Sequence, residues 1–131
     1  MRDKPLILVV DDEQNILEIV STKLAEAGFE PVVAFNAQEA VDAAFKLHPD
    51  LILMDIHMPG ETGTDAALSI KNHPDTKDIR IAFLSNMKDP WPTITADRSD
   101  VTKGMGMDDF IDKTSDLDVI AGRVRGLLGG Q

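Results

Sequence analysis

Short, unbroken apolar runs alternate with stretches of helical periodicity along this chain. Leu6-Ile7-Leu8-Val9-Val10 is continuous and rich in β-branched residues, the pattern of a strand buried on both faces. Ile16, Leu17, Val20 and Leu24 follow at helical spacing, and Gly28 stands where a helix C-terminus takes a left-handed residue. Pro31 to Phe35 predicts a second strand. Asn36, with Glu39 three residues later, has the form of an N-cap and capping box. The helix it opens carries Ala40, Val41, Ala44 and Phe45 on its apolar face and is bounded by Pro49. Leu51-Ile52-Leu53-Met54 is a third strand ending at Asp55, and Met58 to Gly63 is a loop. A short helix with Ala67, Leu68 and Ile70 fades at Asn72-His73-Pro74. Ile79 to Leu84 is a fourth strand ending at Ser85. Phe110-Ile111 lies in a weak fifth strand ending at Lys113, and a last helix from about Asp116 to Leu128 buries Leu117, Ile120, Val124 and Leu127. Met87 to Met107 has poor periodicity and holds Pro90-Trp91-Pro92.

Five strands alternating with five helical segments predict an α/β domain with a mostly parallel sheet. Right-handed crossovers then gather the strand C-termini along one edge, where open sheets of this kind bind their ligands. The 131 residues fit a single domain spanning 1–131, long enough to bury a core without metal or disulfide staples.

Composition changes this picture in two respects. The formal net charge of −10 argues against sequence-independent nucleic-acid binding and against adsorption to anionic lipid. The absence of cysteine excludes disulfides, thiolate metal sites and thiol nucleophiles. The one N-terminal apolar run is too short for a signal peptide or a membrane span, so a cytoplasmic protein is expected.

The candidate chemistry stands at the strand ends: Asp11 and Asp12, Asp55, Ser85 and Lys113. Three carboxylates in one place repel each other and call for a cation, and hard oxygen ligands suit Mg²⁺. A carboxylate can attack phosphorus and form an acyl phosphate. A lysine and a hydroxyl beside it can hold the transferred oxygens.

Four segments in this order resemble the receiver domain of two-component response regulators. They are Val9-Val10-Asp11-Asp12-Glu13, Leu53-Met54-Asp55-Ile56-His57-Met58-Pro59-Gly60, Phe83-Leu84-Ser85, and Gly106 to Lys113. The resemblance, which covers essentially the whole chain, implies a doubly wound, flavodoxin-like sheet of strand order 2-1-3-4-5, an order the handedness rules alone do not supply. It implies that Asp55 accepts phosphate, that Asp11, Asp12, Asp55 and the backbone carbonyl of His57 hold Mg²⁺, and that Lys113 pairs with the phosphate. Ser85 and Phe110 fill the two switch positions. The implied phosphate donor is a histidine kinase or histidine phosphotransfer protein. The domain catalyses its own phosphorylation and dephosphorylation but is not otherwise an enzyme. With no DNA-binding or enzymatic output segment in the sequence, the effect is expected to pass through contacts with an unidentified downstream protein.

The chain departs from the family between Ser85 and Lys113, a stretch several residues longer than usual. This predicts an irregular or displaced fourth helix and a non-standard partner or homodimer surface. Trp91 in that stretch serves either a partner or its own loop. Asn86 stands where a very small residue is common and narrows access to the phosphate. Thr114 replaces the proline that usually follows the lysine, which leaves the cis or trans state of the Lys113–Thr114 bond open. Three rival readings remain. The first is a pseudo-receiver that keeps the fold as an unphosphorylated interaction module. The second is a cobalamin-binding module, because Asp55, His57 and Gly60 match its Asp-x-His-x-x-Gly pattern, although no downstream Ser-x-Leu follows at the required spacing. The third is an aspartyl-phosphate phosphatase of the haloacid-dehalogenase type, although His57 stands where its second acid belongs.

Overall fold

The alternating pattern resolves into one parallel sheet with helices on both faces. The computed structural model describes residues 4–55, 63–85, 109–112 and 117–128. Strands β1 (Leu6–Val10), β2 (Glu30–Ala34), β3 (Leu51–Asp55), β4 (Arg80–Ser85) and β5 (Asp109–Asp112) pair in the order β2-β1-β3-β4-β5. All four pairings are parallel, with Val9 opposite Leu53 and Asp55 opposite Leu84. Helices α1 (Gln14–Glu26), α2 (Ala37–Leu47), α3 (Gly63–Lys71) and α4 (Leu117–Leu127) connect or follow them. The expected order holds. The irregular segment around the anticipated fourth helix, Asn86 and Trp91 lie outside the described residues, as does the Lys113–Thr114 bond.

Why β1 and β3 are apolar without a break is visible in the two cores. Successive side chains point to opposite faces of a strand. Leu8, Val10, Ile52, Met54, Ile81 and Phe83 pack with Ala40, Ala44, Ala67 and Ile70 from α2 and α3. Ile7, Val9, Leu51, Leu53, Ala82 and Leu84 pack with Leu17, Val20 and Leu24 of α1 and Ile120 and Val124 of α4. A polar side chain at any of these strand positions would therefore enter one core or the other.

Local signals set the helix ends. Asn36 Oδ1 accepts the Glu39 N–H at 2.8 Å, and the Glu39 carboxylate accepts the Phe35 N–H at 2.8 Å. This capping box claims Phe35, so β2 ends at Ala34, one residue earlier than the apolar run predicts. Gly28 adopts φ +98° after the α1 C-cap Ala27. Its N–H donates to the Ala25 carbonyl, and the Phe29 N–H donates to that of Leu24 at 3.0 Å, the paired bonds of a Schellman stop. In α3 the buried positions are Ala66, Ala67 and Ile70, while Leu68 is left exposed. Small residues let this short helix lie close to the sheet, and Leu68 falls on its outer side. Among the described residues no helix is long and apolar enough to cross a membrane.

Candidate phosphoacceptor site

β1 and β3 are neighbours, so their C-terminal ends lie side by side and deliver Asp11 and Asp55 to one place. Asp11 is held by two backbone bonds. Its N–H donates to the Ala34 carbonyl at 3.2 Å, which extends the β1–β2 ladder by one rung. Its Oδ1 accepts the Glu13 N–H at 2.9 Å, which turns the chain toward α1. Asp12 falls in this turn and stays exposed. Asp11 is 0% and Asp55 2% exposed, a degree of burial that ionised carboxylates rarely reach unless something compensates their charge.

One oxygen from each of Asp11, Asp12 and Asp55 can be chosen so that all three lie within 4.8 Å of one another. Two unit charges at about 4 Å repel by about 4 kcal/mol at an effective dielectric near 20. Such a trio is tolerable only with a cation or a proton among its members. The donor set fits Mg²⁺ in kind: three hard oxygens, with the exposed Asp12 leaving one side open to water. Metal–oxygen distances of about 2 Å put ligand oxygens about 3 to 4 Å apart, so a small inward adjustment or one water bridge meets the observed spacing.

The other anticipated residues are placed only in part. Ser85 closes β4, directly after Leu84, the partner of Asp55. Its backbone pairs with Asp112, and Phe110 pairs with Phe83. Ser85, Asp55 and the end of β5 thus share the C-terminal edge with Asp11. The side chains of Ser85 and Phe110 are outside the description, and Lys113 and His57 lie outside the described residues.

A parallel α/β sheet whose C-terminal edge gathers a buried aspartate with two further acids defines a class of phosphoryl-accepting or metal-binding domains. Comparison narrows it. Residues 7–125 match the response regulator receiver domain. The chain is 32% identical over 124 residues to the phosphate regulon transcriptional regulatory protein PhoB of Escherichia coli (strain K12), covering 93% of this chain and 51% of that protein. It spans about half the length of the curated relatives it matches. Among solved structures it resembles the chemotaxis protein CheY4 of Vibrio cholerae, with a TM-score of 0.81, 25% identity and coverage of 95% of this chain and 98% of that one. It also resembles the response regulator TrrA of Thermotoga maritima, solved in complex with Mg²⁺–BeF, with a TM-score of 0.76, 33% identity and coverage of 94% and 98%. The chain belongs to the response-regulator receiver family of two-component systems, whose general function is phosphorylation-dependent switching.

Proposed function

We propose that Asp55 of this chain accepts a phosphoryl group from a phosphohistidine on a histidine kinase or histidine phosphotransfer protein, in a reaction that needs Mg²⁺. The observation that carries this reading is the convergence of buried Asp55 with Asp11 and Asp12 at the C-terminal edge of the sheet. The similarity to TrrA, solved with Mg²⁺–BeF, supports the choice of cation.

In this reading an Asp55 carboxylate oxygen attacks phosphorus, the phosphorus–nitrogen bond of the donor breaks, and the electron pair leaves with the imidazole. Asp11 and Asp12 hold the metal together with Asp55 and the carbonyl of His57. Mg²⁺, when bound, supplies positive charge against the carboxylates and the transferred oxygens. The Lys113 ammonium pairs with a phosphoryl oxygen and the Ser85 hydroxyl donates to another. Movement of Ser85 leaves room for Phe110 to pack inward, and this shifts the population of two states of the surrounding surface. The chain catalyses its own phosphorylation and later hydrolysis, acts in the cytoplasm, and passes the signal on through protein contacts.

Intact-mass measurement after incubation with acetyl phosphate tests the reading. Wild type gains one phosphoryl group in the presence of Mg²⁺, and gains none without Mg²⁺ or as Asp55→Asn. No gain in wild type, from acetyl phosphate or from a competent kinase, overturns it in favour of a pseudo-receiver.

A further inference from the structure

The capping box of α2 departs from the usual form in one bond. In the usual box the third helical residue reaches back to the backbone N–H of the N-cap itself. Asn36 is the N-cap of α2, and its Oδ1 takes the Glu39 N–H in the ordinary way. The Glu39 carboxylate reaches one residue further and accepts the Phe35 N–H at 2.8 Å. That N–H belongs to the peptide group joining Ala34 to Phe35, where β2 ends. The carbonyl of the same group accepts the Asp11 N–H at 3.2 Å. Glu39 and Asp11 thus hold opposite ends of one planar unit.

The place of β2 in the sheet gives this bond its weight. β2 is an outer strand of the five described. The Glu30 N–H and the Ala34 carbonyl both bond toward β1, so alternation turns the N–H groups of residues 33 and 35 outward, and Pro31 has none to turn. In an inner strand a carbonyl of the next strand would take such a group. For Phe35 the Glu39 carboxylate does so, and a charged acceptor makes the stronger bond. Accepting at the N–H also polarises the peptide and strengthens its carbonyl toward Asp11. That carbonyl is the last rung before the chain leaves the sheet, because Asp11 Oδ1 then accepts the Glu13 N–H and turns the chain toward α1. A shift at this rung would swing a fully buried carboxylate whose oxygen lies within 4.8 Å of those of Asp12 and Asp55. Metal–oxygen contacts of about 2 Å tolerate little such movement.

We propose that Glu39 is a positioning residue for the cation centre. Through the Ala34–Phe35 peptide it fixes Asp11 in the place from which the Asp11 carboxylate binds Mg²⁺. The inference rests on the reading of Asp11 as a metal ligand. A bond that served α2 alone would end on the Asn36 N–H, inside the first turn of the helix. This one ends on the strand, and it connects the helix N-terminus to Asp11 through two hydrogen bonds and one peptide group.

Two measurements on the full chain test the inference: calorimetric titration with Mg²⁺, and amide hydrogen exchange of Asp11 in the metal-free protein. Glu39→Ala is expected to weaken Mg²⁺ binding about threefold to tenfold, less than the loss typical when a group bonded directly to a ligand side chain is removed. Its Asp11 amide should exchange about tenfold faster when measured against that of Val9, earlier in the same ladder. A general loss of stability would move both amides together. Glu39→Gln loses the same charge but keeps an oxygen acceptor, and should stay within about twofold of wild type on both readouts. Asp50→Ala removes the acceptor of the Leu6 N–H at the other end of β1, and should leave Mg²⁺ affinity unchanged. Equal losses in Glu39→Ala and Glu39→Gln would assign the effect to charge, and a matching loss in Asp50→Ala would assign it to stability. Either result overturns the inference, as does an unchanged Mg²⁺ affinity in Glu39→Ala. Wild type that binds no Mg²⁺ overturns the metal reading beneath it, and the inference with it.

Discussion

At the N-terminal end of β1, Asp50 accepts the Leu6 N–H on Oδ2 at 2.7 Å, and its own N–H donates to the Leu6 carbonyl at 2.8 Å. That reciprocal clasp ties the α2–β3 junction to the first residue of the sheet. At the C-terminal end of the same strand, Asp11 meets Asp12 and Asp55 with carboxylate oxygens within 4.8 Å of one another. Both ends of the sheet use aspartate, and the surroundings decide what it does. At one end the charge is met by a backbone donor, and the carboxylate strengthens the fold. At the other, its neighbours include two further carboxylates, which repel one another and, on the proposed function, share a cation. The proposed function places the chemistry at the end where like charges gather rather than at the end where the carboxylate strengthens the fold.

Three substitutions sharpen the contrast. Asp50→Ala has the largest expected effect on stability, a loss of about 2 kcal/mol, because it removes a charged acceptor from a half-buried N–H. Urea unfolding measures it, and phosphorylation of Asp55 by acetyl phosphate should proceed as in wild type. If that rate falls with stability, the two ends are coupled and the contrast fails. Asn36→Ala removes the α2 cap and lowers stability by about 1 kcal/mol, again by urea unfolding. It acts at the functional end, two residues beyond the Ala34 carbonyl that anchors Asp11, and so should also slow phosphorylation. His48→Gly has the smallest effect. His48 closes α2 with φ +48°, and glycine relieves that conformation for a gain of about 0.5 kcal/mol, seen as a small rise in thermal midpoint with phosphorylation unchanged.

The fold was legible to the extent that its signals are local. The strands β1 and β3, the Asn36–Glu39 capping box and the Gly28 stop each depend on a few adjacent residues. The strand order was not legible in that way. Pairing of β1 with β3 joins residues more than forty positions apart, and only resemblance supplied it. In the site, Asp11, Asp12 and Asp55 stood out because each follows a fully apolar strand. Asp50 drew no notice, because an acid before a strand reads as an ordinary turn residue until its bond to Leu6 is seen.

The claim that Asp11, Asp12 and Asp55 form one cation-dependent centre is tested most directly by thermal unfolding with and without Mg²⁺, for wild type and Asp55→Asn. Without Mg²⁺, the variant should be the more stable by about 1 kcal/mol, because it removes one charge from a mutually repelling trio. Added Mg²⁺ should raise the midpoint of wild type in proportion to the logarithm of its excess over the dissociation constant, and should leave the variant nearly unchanged. A variant less stable than wild type without Mg²⁺, or an equal rise in both proteins, would contradict the account.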